Sequence, residues 1–148
     1  MTKARQREYE AGLHDTETFV YYNLNPEGKI TSDCSTRTIA AALGIPYSAA
    51  IDLQCLAAKD THIGLCDGDL IAHILERHGF TKMKVSTPYA GMKRETAGQM
   101  AKRLAKGNTV VVMRLANHFT VAKEHAVHDI WDCTKKTVYR CWVGTLKR

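Results

Sequence analysis

The chain has 148 residues, 45% of them hydrophobic and 24% charged, with a formal net charge of +6. This length suits one compact domain, and no apolar run approaches the ~20 residues needed to cross a bilayer. The charged N-terminus leads into no apolar segment, which argues against a secretory signal. The five cysteines are an odd number without a Cys-x-x-Cys pair, so we expect free thiols in a soluble, cytoplasmic protein.

The N-terminal half is predicted to be mainly helical. Residues 1–18 are polar and are expected to form an arm before a single domain over residues 19–148. Residues 19–22 resemble a short strand. A first helix is predicted over 34–43, because the polar residues 31–33 offer N-terminal caps and a glycine and a proline follow the apolar stripe.

Two more helices and a strand are predicted before the middle of the chain. The second helix covers about 48–58, with Leu56 among the residues that face inward. The third covers about 69–78 and carries four apolar residues at helical spacing. A short strand is expected at 81–86.

The C-terminal half changes to β-type patterns after one further helix. Residues 96–99 form a capping-box sequence, which predicts a helix that ends near Gly107. Two of the runs that follow alternate about Glu124-His125 and predict a hairpin. Four strands are expected, at 109–113, 118–122, 126–131 and 137–143. Helices followed by strands indicate an α+β fold, with N-terminal helices packed on a C-terminal antiparallel sheet.

A cysteine and a histidine stand where a nucleophile and its base are often found. Cys34 is predicted to lie at a helix N-terminus, where the helix dipole lowers a thiol pKa. His118 opens a strand, so its ring can face a helix tip from the rim of the sheet. A thiol attacks carbonyl groups only as the thiolate, which a neighbouring imidazolium stabilises. We therefore predict that Cys34 and His118 form a nucleophile–base pair.

A third group is needed to orient the imidazole. If the hairpin is tight, the residues opposite His118 are Trp131 and Asp132. This pairing favours Asp132 as the orienting carboxylate, and Asp129, nearer the turn, is the reserve candidate.

These motifs resemble those of the small papain-like cysteine peptidases of phages and their bacterial relatives. The family pattern is an Asn-Pro turn, then Asp-Cys-x-x-Arg-x-Ile opening a helix, and later a strand-initial His before a hairpin ending in Asp-x-Trp-Asp. The chain has Asn25-Pro26, the run 33–39, His118 and the run 129–132 in that order. The resemblance implies a papain-like fold and a Cys–His–Asp site that hydrolyses a peptide or amide bond through an acyl-enzyme, in a bacterial or phage-infected cell.

The sequence departs from papain around the nucleophile. No glutamine lies just upstream of Cys34, and Ser35 replaces the usual tryptophan. The oxyanion would have to be held by the backbone N–H of Cys34 and a nearby side chain. Asn25, Ser32 and Asn23 are the candidates. Arg37, three positions after the cysteine, is expected on a solvated helix face, with a substrate carboxylate as the alternative.

Other functions remain open at this stage. The same residues suit a transglutaminase-like acyl transferase. A basic chain without a clear oxyanion donor also suits a non-catalytic papain-fold protein, such as a phage-encoded inhibitor of a host system, and the charge permits nucleic-acid binding. A zinc site could be drawn from Cys55, His62, Cys66 and His73, although the spacing lacks the close pairs of structural zinc sites. We expect a peptide or protein substrate and no cofactor.

Overall fold

The computed structural model describes residues 14–85 and 93–146. Most of the predicted N-terminal arm therefore lies outside the described residues, as does Ser86 at the end of a predicted strand. The described elements are, in chain order, β1 (Phe19–Tyr21), α1 (Cys34–Leu43), α2 (Tyr47–Thr61), α3 (Gly68–Arg77), β2 (Thr81–Met83), α4 (Ala97–Leu104), β3 (Thr109–Leu115), β4 (His118–Lys123), β5 (Ala126–Asp129) and β6 (Arg140–Thr145).

The six strands form one mixed sheet in the order β1-β5-β4-β3-β6-β2. The α+β class is confirmed, and the four C-terminal strands pair antiparallel as predicted, but the sheet as a whole is mixed. β1 pairs parallel with β5, and β2 pairs antiparallel with β6, so two strands from the helical half complete both edges. Phe19, fully buried, anchors β1 in this position. Such long-range pairing leaves no local signal in the sequence.

The helices cover both faces of the sheet. α1, α2 and α3 share one apolar cluster with Val110, Val112 and Trp142 of the sheet. α4 packs on a second cluster, which contains Val111 and Met113. These two residues alternate along β3 with those of the first cluster. Side chains of successive strand residues point to opposite faces, so β3 contributes to both clusters. The prediction that helices pack on the sheet holds, but one of them lies on the opposite face.

Local signals account for the ends of several elements. Thr96 and Gln99 make the reciprocal hydrogen bonds of a capping box at the start of α4, as predicted. The β4–β5 turn has Glu124 and His125 at φ angles of 49° and 68°. Two left-handed residues give the turn the twist of the flanking strands. The predicted hairpin therefore forms about the predicted residues.

Two predictions about individual elements need correction. Leu56 of α2 was expected to face inward but is 58% exposed, whereas Ala50 and Gln54 are buried. The last strand begins at Arg140 rather than near Thr137, because Thr137 instead bridges to Thr96 at the start of α4.

No single helix in the described ranges is long and apolar enough to span a membrane. α1 and α2 meet that test only when taken together, and the chain bends by 107° between them.

Candidate active site

The cysteine lies where the sequence places it, at the first residue of α1. The helix begins after Asp33, whose carbonyl accepts the backbone N–H of Arg37 at 2.9 Å. The backbone N–H groups of a first helical turn have no partner within the helix, so they favour negative charge nearby. The half-buried Cys34 side chain opens on a cleft rather than into the core. A thiolate here is close to both a helix N-terminus and solvent.

The histidine approaches from the short turn between β3 and β4. Leu115 pairs with His118 across the ladder, and the two-residue turn between them places Asn117 at a φ of 55°. Asparagine tolerates this left-handed conformation better than most residues. His118 is buried apart from its edge on the cleft, which Cys34 also lines, and its interaction with Cys34 lowers the pKa of the thiol. The structure brings the two predicted partners together.

Asp129 orients the ring of His118. Its Oδ2 lies 2.6 Å from His118 Nε2 and accepts a hydrogen bond from Thr120 Oγ1 at 2.7 Å. With Nε2–H donated to the carboxylate, Nδ1 is the ring nitrogen left to face the thiol. The Trp131 ring packs against the imidazole with centroids 5.1 Å apart. The ring is therefore held by hydrogen bonding and by packing.

The preference for Asp132 as the carboxylate beside His118 is corrected by this geometry. The predicted register is right, since Val121 pairs with His128 and the count from there sets His118 opposite Trp131. However, strand side chains alternate between faces, so Asp129 shares the face of His118 whereas Asp132 does not. Asp132 is exposed, and its carboxylate accepts hydrogen bonds from Thr134 instead.

A buried arginine extends the network to the start of α1. Arg37 was expected on a solvated face, yet it is only 7% exposed. Its Nε donates to Asp33 Oδ1 at 2.7 Å, and a terminal nitrogen donates to Asp129 Oδ1 at 3.0 Å. Asp33 also accepts from Asn25 and from the Tyr47 hydroxyl. This chain of contacts ties the helix that carries Cys34 to the carboxylate that orients His118.

These contacts set the charge states of the site. Burial opposes a charged thiolate, but the hydrogen bonds from His118 and from the backbone N–H of Phe119 outweigh it and lower the pKa of Cys34. Burial likewise opposes a charged imidazole, yet hydrogen bonding with Asp129 and with the thiols raises the pKa of His118 to about 11. The pKa of Asp129 is lowered, because its contacts with His118 and Arg37 outweigh its burial. Both shifts favour a thiolate–imidazolium pair over a neutral thiol and a neutral imidazole.

Of the three predicted oxyanion donors, Ser32 alone lines the cleft. The amide groups of the other two are engaged elsewhere, Asn25 Nδ2 with Asp33 and Asn23 Nδ2 with the carbonyl of Lys29. Gln54, on α2, lines the cleft and was not anticipated. Its Oε1 accepts a hydrogen bond from Thr36 at 2.7 Å. This bond occupies the Oε1 end of the amide, and no hydrogen bond from Nε2 to another described residue is present.

The cleft has a volume of about 480 Å³. It is bounded by the start of α1, one side of α2, the segment before α3 and the β3–β4 turn. Its walls combine apolar side chains with the polar groups around the thiol. The side chains that line the cleft include those of Cys34, Ile51, Gln54, Leu65, Arg114, His118 and Phe119.

A second thiol lies behind the imidazole. Cys133 is fully buried, and its Sγ is 3.6 Å from Asp129 Oδ2. Burial raises the pKa of this thiol, in contrast to that of Cys34. Of the two cysteines next to His118, Cys34 is therefore the one that favours the reactive thiolate form.

His118, Asp129 and Cys133 form the single group in the described ranges that could share a metal ion, because their ligand atoms lie within 4.8 Å of one another. Their mutual hydrogen bonds, with Thr120, already account for this closeness. The four residues of the alternative zinc site, Cys55, His62, Cys66 and His73, form no such group.

Comparison with protein-family models, with curated proteins and with solved structures gives no match to this chain. Any functional assignment therefore depends on the geometry of this site.

Proposed function

We propose that the protein is a cysteine hydrolase, a peptidase or amidase, in which Cys34 is the nucleophile, His118 the acid–base and Asp129 the orienting carboxylate. The observation that carries the proposal is one imidazole that shares a cleft with a half-buried thiol at a helix N-terminus and lies 2.6 Å from a buried carboxylate. Nucleophile, base and orienting group within hydrogen-bond reach are the arrangement that covalent catalysis by a thiol requires.

The reaction begins with attack of the Cys34 thiolate on the substrate carbonyl carbon. A C–S bond forms, and the π electrons of the carbonyl move onto its oxygen. Gln54 Nε2–H and the backbone N–H of Cys34 are the donors that would hold this oxyanion. The cleft that contains both groups also contains the thiol.

Collapse of the tetrahedral intermediate expels the amine, which takes its proton from the His118 imidazolium. A thioester between Cys34 and the acyl group remains. The neutral imidazole then removes a proton from water, which attacks the thioester and releases the acid and the thiol. An amine acceptor in place of water would make the same site an acyl transferase.

Free thiols fit the expected setting. All five cysteines are unpaired. The bacterial or phage-infected cytoplasm is the compartment proposed for this enzyme, because thiols there stay reduced.

An activated ester tests this function without knowledge of the natural substrate. We expect p-nitrophenyl acetate to give a burst of about one equivalent of nitrophenolate, followed by steady turnover. Peptide mapping should find the acetyl group on Cys34. Cys55 and Cys66 line the same cleft and are more exposed, so they are internal controls for simple accessibility.

His118→Ala should abolish both the burst and the turnover. Acetylation of Cys55 or Cys66 ahead of Cys34, or turnover that survives His118→Ala, would contradict the proposal. The absence of any acyl-enzyme would favour the non-catalytic binding protein. Addition of glycinamide separates transfer, with an acetylated amine product, from hydrolysis.

A further inference from the structure

An arginine lies in the cleft beside the proposed catalytic groups. Arg114, on β3, is half-buried and lines the same cavity as Cys34 and His118. Its guanidinium stacks on the Phe119 ring, with its central carbon 4.7 Å from the ring centroid. A terminal nitrogen of the guanidinium also lies near Gly68, where an added Cβ would stand 3.0 Å from it. The guanidinium thus packs against both a ring and a helix start.

No carboxylate in the described part of the chain forms an ion pair with Arg114. Its neighbour across the β3–β6 ladder, Arg140, is the residue that pairs with Asp69, at 3.3 Å. The carboxylate of Asp67 accepts the backbone N–H of Asp69 at the start of α3. These acidic groups at the start of α3 are therefore used in other contacts.

Arg114 is the cation of the cleft that no anion of the lining offsets. Among the described residues that line it, the one acidic side chain is that of Asp33, which is neutralised by Arg37. The imidazolium of His118 faces the Cys34 thiolate, so these two charges also offset each other. Ile51 and Leu65 add apolar surface to the same cleft, at 41% and 51% exposure.

We propose that Arg114 binds a carboxylate of the substrate, so that the enzyme selects peptides with an acidic group beside the scissile bond. This inference rests on the proposed hydrolase function and names its substrate class. The planar guanidinium presents paired N–H donors that match a carboxylate, and stacking on Phe119 limits the rotamer freedom lost on binding. The apolar wall accommodates a hydrophobic side chain of the same peptide.

Alkylation of Cys34 by a charged and a neutral reagent tests the site without a peptide. Iodoacetate and iodoacetamide have similar size, but iodoacetate carries a carboxylate. We expect Arg114→Gln to lower the ratio of the iodoacetate rate to the iodoacetamide rate about fivefold, the effect of one charge a few ångström away in a solvated site. Arg114→Lys should retain most of the ratio, because it keeps the charge.

Arg77→Gln is the matched control. Arg77 is exposed at the C-terminal end of α3, and Gly68 at the other end is the part of that helix near Arg114. Its loss removes the same net charge without touching the cleft, so the ratio should stay at the wild-type value. An equal drop in Arg77→Gln and Arg114→Gln would overturn the proposal, because it would reduce the effect to net charge.

Peptide pairs distinguish the two sources of a carboxylate. One arm compares Glu with Gln beside the scissile bond in C-terminally amidated peptides, and the other compares free with amidated C-termini in Gln peptides. We expect about a tenfold advantage in kcat/KM for the anionic member of one arm, lost in Arg114→Gln. Equal cleavage of both members in both arms would overturn the proposal.

Failure of this inference can be told apart from failure of the proposed function. A slow wild-type thiol counts against the hydrolase, but the reagent ratio is defined at any rate and still decides on Arg114. A fast thiol whose ratio does not change in Arg114→Gln leaves the hydrolase standing and refutes the carboxylate site.

Discussion

Replacement of Asp129 by asparagine is the perturbation to which the site should respond most strongly. The carboxylate is 1% exposed and accepts hydrogen bonds from Arg37, His118, Thr120 and the backbone N–H of Ile130. The amide side chain of the variant would keep the shape but lose the charge. It would also present an N–H₂ group where Arg37 or His118 already donates.

The expected cost follows from those contacts. Two charge-assisted hydrogen bonds are lost at about 1.5–3 kcal/mol each, and breaking a buried ion pair costs about 3–5 kcal/mol. In the variant, His118 can avoid a buried unpaired charge by losing its proton, whereas Arg37 stays charged. We therefore expect Asp129→Asn to lower the free energy of unfolding by about 3 kcal/mol, near the lower end of that range.

Urea unfolding measures this loss, and Asp132→Asn is its matched control. Asp132 is exposed, and within the described ranges its carboxylate bonds to Thr134 alone, so its replacement should cost less than about 1 kcal/mol. The free energy of unfolding lost in Asp129→Asn should also depend on pH. The pKa of Asp129 is lowered on folding, so its contribution is complete above the unfolded value of about 3.9 and is lost as pH falls through the folded value.

Equal destabilisation by the two substitutions would refute the assignment of Asp129. If Asp129→Asn does not fold, Thr120→Val gives a milder test, because it removes one hydrogen bond to the same oxygen and should cost about 1 kcal/mol. Cys34 alkylation at pH 6 should slow in Asp129→Asn and stay unchanged in Asp132→Asn.

Three further substitutions separate the roles of the neighbouring residues. Gln54→Ala should reduce steady-state ester hydrolysis about 10²–10³-fold while Cys34 alkylation keeps its rate, since alkylation forms no oxyanion; slower alkylation would contradict this role. Arg37→Met should lower the free energy of unfolding in urea by about 3–5 kcal/mol, because two buried carboxylates lose their counter-charge. Cys133→Ala should leave the ester burst intact, since the pKa of this buried thiol is raised; loss of the burst would assign it a direct role.

The parts of the site that the sequence predicts are those with local signals. The bounds of α1 follow from a polar region before Cys34 and a glycine-proline stop after Leu43, although Asp33 makes no side-chain cap hydrogen bond. The hairpin follows from alternation about Glu124 and His125, and the count from that turn correctly set His118 opposite Trp131. The prediction of Asp132 is wrong because it uses position along the strand alone. Strand side chains alternate between the two faces, and Asp132 does not share the face of His118.

Other features depend on contacts that no local pattern encodes. Arg37 looks like a surface residue until Asp129, 92 positions away, is brought beside it. The sequence pattern predicts Leu56 on the inward face of α2, whereas the helix buries Ala50 and Gln54 and exposes Leu56. A glutamine at the centre of that buried stripe is the signal that could have identified it.

The pH dependence of Cys34 alkylation by iodoacetamide tests the central claim most directly. If His118 holds the thiolate, the midpoint of the wild-type profile should lie below the free-thiol value of about 8.5, because the pKa of Cys34 is lowered. In His118→Ala, burial is no longer opposed by the imidazolium, so the half-maximal pH should move to the free-thiol value of about 8.5 or above. A wild-type profile with its midpoint near the free-thiol value of about 8.5, unchanged by His118→Ala, would contradict the account.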